Sequence, residues 1–113
     1  MAVIEKEINL IDEDRNLQIS YTCMTDMLDI DFAIKDFELT GTDDVELFVK
    51  TREDLRSIAG TKDLQENKAL FSIPAECFPF AGESLGQIRI TRDGEKLYSN
   101  RIRMNIHPYY GGA

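Results

Sequence analysis

GQIRITRDGEKLYSNRIRMNI, residues 86–106, reads as two strands folded back on one another. Ile88 and Ile90 alternate with Arg89 and Thr91, and on the return Ile102, Met104 and Ile106 alternate with Arg101, Arg103 and Asn105. A period of two puts one set on a buried face and the other in solvent. Asp93-Gly94 stands between the runs, a pair that tolerates the positive φ of a tight hairpin turn. A hairpin buried on one side only gives the rest of the chain a sheet to join.

The same alternation recurs upstream. In RNLQISYTC (15–23), Leu17, Ile19, Tyr21 and Cys23 alternate with polar neighbours. In LDIDFAIK (28–35), Leu28, Ile30, Phe32 and Ile34 point one way and Asp29, Asp31, Ala33 and Lys35 the other. In DVELFVK (44–50), Val45, Leu47 and Val49 alternate with Glu46, Phe48 and Lys50. Ala69, Phe71 and Ile73 make a short strand that Pro74 ends, because proline cannot donate to a ladder. Residues 2–11 are expected to add an edge strand, with Val3 and Ile4 or Ile8 and Leu10 buried.

Two segments break the pattern. TREDLRSIAGTKDLQEN (51–67) is polar, lacks alternation and reads as an exposed loop containing a helical turn. PAECFPFAGES (74–84) opens with Pro-Ala-Glu, a good first helical turn, which is expected to end at Gly82. Together these readings predict an all-β chain, an antiparallel β-sandwich of six to eight strands with one short helical turn. Residues 1–108 form a single domain on this reading, and 109–113 are an exit segment. No internal repeat or linker interrupts the chain.

The length, 113 residues, suits one domain with a modest core. No run of 18 apolar residues offers a membrane span. The N-terminus has acids in its first dozen residues and no basic-then-apolar signal pattern, so the chain is expected to stay in the cell that makes it. The net charge of −8 opposes non-specific attraction to nucleic acid or an anionic membrane. Residues 1–66 hold 17 acids and 7 bases, whereas residues 67–113 hold 4 acids and 6 bases. The two halves are expected to present faces of different sign. Cys23 and Cys77 have a separation that suits an inter-sheet bridge, but no Trp is present to pack on it and no secretion signal accompanies it. Two reduced thiols are the better reading.

Gly82-Glu83-Ser84-Leu85-Gly86 spells the G-x-S-x-G of a hydrolase elbow, which places its serine on a sharp turn from strand into helix. Here a helical turn precedes Ser84 and a strand follows it, so Ser84 reads as a loop residue. The single histidine, His107, has no acid downstream of it, and Asp93 and Glu95 sit at the far tip of the hairpin. Asp26, Asp29 and Asp31 invite a calcium reading, but the latter two fall on the solvent face of a strand and match no EF-hand loop. Cys77 with His107 is too sparse for zinc. No Gly-rich loop precedes a helix to cradle phosphate. The sequence thus offers no catalytic constellation, no metal site and no cofactor site.

The remaining feature is cationic. Arg89, Arg92, Lys96, Arg101 and Arg103 form a stripe on the outward side of the closing hairpin of an otherwise acidic protein. Such a stripe is either a solvated face or a docking surface, for which arginine's planar fork and weak hydration are suited.

The order of segments resembles the N-terminal domain of the phage baseplate upper protein family. The likeness is carried by Asp14-Arg15-Asn16 leading into LQISYT, by DFELTGTDDVELFVK, by a strand ending in SIPAE, by the A-G-x-x-x-G segment from Ala81 to Gly86, and by the closing hairpin. It departs from the family in its acidic residues 25–34 and its short strand at 67–73. The resemblance implies an immunoglobulin-like sandwich with a structural role, attaching a fibre or receptor-binding assembly to the baseplate hub. It further implies virion partners, an oligomeric assembly and a tail-baseplate location after synthesis in the host cytoplasm. A rival reading, from the carboxylates of residues 1–66, is an acidic DNA-mimic inhibitor of a host nuclease.

Overall fold

A computed structural model describes residues 3–10, 18–22, 28–51, 54–74, 82–99 and 101–107. Among these residues ten strands run in the order β1 (Val3–Ile8), β2 (Gln18–Thr22), β3 (Leu28–Ile34), β4 (Asp44–Lys50), β5 (Leu55–Ala59), β6 (Thr61–Asp63), β7 (Lys68–Ile73), β8 (Gly82–Arg92), β9 (Glu95–Tyr98) and β10 (Ile102–His107). They build a four-stranded sheet ordered β1-β3-β7-β6 and a six-stranded sheet ordered β2-β10-β8-β4-β5, with β9 paired to β8.

The alternating apolar positions of both sheets meet in one core. Ile30 and Phe32 of β3 and Phe71 and Ile73 of β7 face Leu47 and Val49 of β4, Ile88 and Ile90 of β8, and Ile102 and Met104 of β10. Phe32 and Phe71 meet edge to face, with ring centroids 6.0 Å apart. Burying one face of each sheet against the other drives this arrangement, and it fixes register, since a slip of one residue would expose the whole apolar set. Near the N-terminus it is Ile8 and Leu10 that are buried, with Ile4 packed at the core's margin.

Several expectations are corrected. The all-β sandwich is as expected, but among the described residues the strands number ten rather than six to eight. Two pairings are parallel, β1 with β3 and β2 with β10, in an otherwise antiparallel structure. Residues 51–67 are not a loop with a helical turn, because β5 and β6 lie within them. β5 shows no alternation because it is exposed on both faces, only Ile58 packing against the core. The chain passes from one sheet to the other at Gly60, whose N–H donates to the Val45 carbonyl at 2.9 Å. A Cβ there would stand 2.4 Å from Phe71 Cε1, so the crossing needs glycine. Of the segment 74–84, read as holding a helical turn, residues 75–81 lie outside the described residues, as do Cys23 and Cys77, whereas 82–84 belong to β8.

The closing hairpin is interrupted rather than continuous. Arg89 opposes Tyr98, but Gly86 opposes Ile102, so three steps along β8 are matched by four on the return. The extra residue makes a β-bulge. Ser99 fills it: its N–H donates to the Ile88 carbonyl and its Oγ accepts the Ile88 N–H, each at 2.9 Å. The bulge changes parity, so that Leu97 and then Ile102 and Met104 all reach the buried side.

The segment between β3 and β4 is tied down by side chains. Asn67, at φ 55°, donates through Nδ2 to the carbonyls of Ile34 at 2.9 Å and Phe37 at 2.8 Å, and accepts the Leu39 N–H through Oδ1 at 2.8 Å. Asp36 accepts the Leu10 N–H at 2.7 Å.

Candidate docking surface

Alternation along β8 sends Arg89 to the outer face of the six-stranded sheet, between Glu46 of β4 and Tyr98 of β9. Its Nη2 donates to Glu46 Oε1 at 2.8 Å, and its guanidinium lies over the Phe48 ring, 4.8 Å from the centroid. The Ser57 hydroxyl donates to the other oxygen of Glu46 at 2.8 Å. The Ser57 hydroxyl first, and Arg89 second, hold the Glu46 carboxyl below the usual carboxylate range, and Glu46 raises the Arg89 pKa in turn. Arg89 is therefore committed within the sheet.

Arg92 has the parity of Ile88 and Ile90 and lies on the inner side of β8, at the end of the sandwich. It forks onto fully buried Asp43, Nε to Oδ1 at 2.6 Å and Nη2 to Oδ2 at 2.7 Å, and Nη2 also donates to the Glu38 carbonyl at 2.8 Å. The Phe37 ring lies beneath it, 4.6 Å from ring centroid to guanidinium carbon. Asp43 also accepts the Thr40 N–H at 2.8 Å, while Lys62 Nζ donates to the carbonyls of Gly41, at 2.9 Å, and Asp43. The bonds from Arg92 and Thr40 outweigh burial and hold the Asp43 carboxyl at about 2. Arg92 is a structural clasp.

Lys96, Arg101 and Arg103 are exposed and form no salt bridge among the described residues, although the Lys96 charge acts on Glu46. Arg103 stands opposite Leu85 on β8 and Gln18 on β2. The five cations of the stripe thus divide into two that build the fold and three that face solvent. Around the three lie half-buried Leu85, Phe48 beneath Arg89, Tyr98 at 46 % exposure and, toward the sheet edge, Leu55 at 60 %. Glu46, Phe48 and Asp43 are missing from any reading of the stripe that looks along the hairpin alone. Glu46 and Phe48 share the outward parity of β4, which was the available signal.

The opposite face of the molecule is acidic. Glu5 and Glu7 of β1 and Asp29 and Asp31 of β3 lie side by side, Glu5 directly beside Asp31. The Ser72 hydroxyl donates to Asp29 at 2.6 Å and Lys35 reaches Glu7 at 3.7 Å. Among the described residues no group of three or more potential ligands could hold a metal ion.

Ser84 is not a loop residue. It lies inside the eleven-residue strand β8, opposite Met104, and is 6 % exposed. A continuous strand through the motif is incompatible with the strand–turn–helix geometry of a nucleophile elbow. His107 ends β10, and its side chain lies outside the described residues.

No protein-family model matches the chain, and no curated protein matches it in sequence. Among solved structures the fold is similar to the N-terminal domain of phage TP901-1 ORF48, with a TM-score of 0.62 and 10 % sequence identity. The match covers 95 % of this chain and 99 % of that domain.

Proposed function

We propose that this chain is a non-enzymatic structural module of a phage virion, the domain through which a fibre or receptor-binding assembly is attached to the tail baseplate. The observation that carries the reading is the likeness of fold, over nearly the whole of both chains, to a domain of a phage protein. The resemblance of segment order to the baseplate upper proteins points the same way. On this reading residues 1–108 act as one docking unit. The partners are other virion proteins, with neither nucleic acid nor membrane contacted.

Docking is assigned to the outer face of the six-stranded sheet, through Lys96, Arg101 and Arg103 around the apolar ground of Leu85 and Tyr98. Exposed cations beside apolar surface suit an acidic partner. Arg89 and Arg92 contribute by holding that face in shape. The test is a titration of the intact chain against purified baseplate proteins of the same phage. Arg101→Glu with Arg103→Glu is expected to weaken binding by at least about tenfold while the circular dichroism spectrum stays unchanged. Wild-type binding is expected to fall as salt rises from about 0.1 M to about 1 M, because the Debye length contracts. Equal binding by wild type and double variant overturns the assignment of this face.

A second reading rests on the acidic outer face of the four-stranded sheet. There Glu5, Asp29 and Asp31 form a surface suited to a DNA-mimic inhibitor. Inhibition of a host nuclease by the purified chain, relieved by Asp29→Asn with Asp31→Asn, is the result that favours it over docking.

A further inference from the structure

We infer that the free edge of β5 pairs antiparallel with the same edge of a second copy of this chain, about a twofold axis at Ser57. β5 ends the six-stranded sheet on its side among the described residues. The Thr51 N–H donates to the Asp54 carbonyl and the Gly60 N–H to the Val45 carbonyl, both at 2.9 Å. Bonding alternates along an antiparallel ladder. Arg56 and Ile58 therefore bond to β4, and Leu55, Ser57 and Ala59 turn their N–H and carbonyl groups to the open edge. Asp54 Oδ1 takes up the Leu55 N–H at 3.0 Å. No hydrogen bond to the edge-facing groups of Ser57 and Ala59 forms among the described residues.

β2, at the far margin of the same sheet, is likewise five uncharged residues, but three other margins carry features that discourage strand addition. β1 presents Glu5, Lys6 and Glu7, β6 has only three residues, and β9 is four residues long with Glu95 and Lys96. β5 is five residues long, and the three that address the open edge are exposed and uncharged. Leu55 among them is 60 % exposed.

The occupant follows from self-complementarity. A twofold axis at Ser57 sets Ser57 against the second copy's Ser57, Leu55 against its Ala59 and Arg56 against its Ile58. No like charges stand directly opposite, Arg56 is diagonal to the second copy's Arg56 but is paired with Asp54 at 3.1 Å, and the large apolar Leu55 faces the small Ala59. The contact is isologous and closes on a pair, joining two six-stranded sheets into one. Five residues on each side bury far less than the roughly 800 Å² per partner of a stable complex. The pairing is therefore weak in the free protein and takes effect at the high local concentration of an assembly.

Sedimentation of the intact chain up to about 1 mM, a range in which millimolar association registers, tests the inference. Wild type is expected to show a reversible monomer–dimer equilibrium. Ser57→Pro, which removes an edge-facing N–H, is expected to abolish it. A register-specific pair of variants guards against misfolding as the cause. Leu55→Glu with Ala59→Glu opposes like charges and should reduce dimer, whereas Leu55→Lys with Ala59→Glu opposes unlike charges and should retain or increase it. Ser57→Cys should cross-link to itself on oxidation, because residues exchanging both hydrogen bonds sit about 5.5 Å apart at Cα, within disulfide reach. A monomer at every concentration, a dimer that survives Ser57→Pro, or equal dimerisation of the two charge variants overturns the inference.

Discussion

Asp43 is fully buried, and the arginine that neutralises it lies 49 residues further along the chain. Its folded pKa of about 2 lies below the ordinary 3.8, so the protonated form is disfavoured in the folded state. The stabilisation is complete above about pH 4 and is lost as pH falls through 2. It is on the order of 1–2 kcal/mol once the exposure of Arg92 is allowed for. Urea denaturation between pH 2 and 5 should show the loss, and Asp43→Asn should flatten that acid limb. Two glycines offer a sharper contrast. A Cβ at Gly60 meets the Phe71 ring at 2.4 Å, whereas one at Gly86 meets the terminal methyl of Met104 at 2.7 Å. The ring is held between sheets and the methyl can swing aside. Gly60→Ala is therefore expected to cost about 1–3 kcal/mol and Gly86→Ala clearly less, as read from denaturation midpoints. None of these pairings is legible in the sequence, because contacts between residues tens of positions apart leave no periodic trace.

Strands leave such a trace only when one face is buried. β3, β4 and β8 alternate cleanly, and their core residues stand where the period of two puts them. β5 was not legible because both of its faces meet solvent, so selection for alternation is absent. The bulge at Ser99 was legible in part: Leu97 is odd-numbered and Ile102 even-numbered, and no unbroken strand buries both. Ser99→Ala should cost about 1–3 kcal/mol, since it leaves the buried Ile88 N–H without its acceptor. Thermal melts of that variant against wild type check it. Phe32→Ala and Ile90→Ala should each cost roughly 2–5 kcal/mol through lost burial and cavity formation. Phe48→Ala, on the outer face under Arg89, should cost less. If Phe48 is the most sensitive of the three, the register of β4 is inverted. Of the cationic stripe, parity along β8 separates Arg89 from Arg92, but their acids are set by the neighbouring strand and the β3–β4 segment.

At the scale of the molecule, one core is shared by both sheets, so neither sheet can lose its packing alone. Chemical denaturation is expected to be a single transition, with far-ultraviolet and near-ultraviolet dichroism curves superimposing. Separated curves would mean that the sheets unfold independently. The fold class was readable from the sum of alternating segments, whereas the strand order was not, since pairing partners are chosen across the chain. One of those choices bears on how the protein is made. β2 emerges from the ribosome early, yet its neighbour β10 is the last of the described strands to follow it. β4 likewise waits for β8, which arrives after the whole four-stranded sheet has been translated. The nascent chain can therefore assemble β1, β3, β6 and β7, and the β4–β5 hairpin, while translation continues, but the six-stranded sheet stays incomplete until residues 102–107 have left the exit tunnel. Completion of the six-stranded sheet therefore waits on β10, and β2 is a strand that a chaperone would meet unpaired in the meantime.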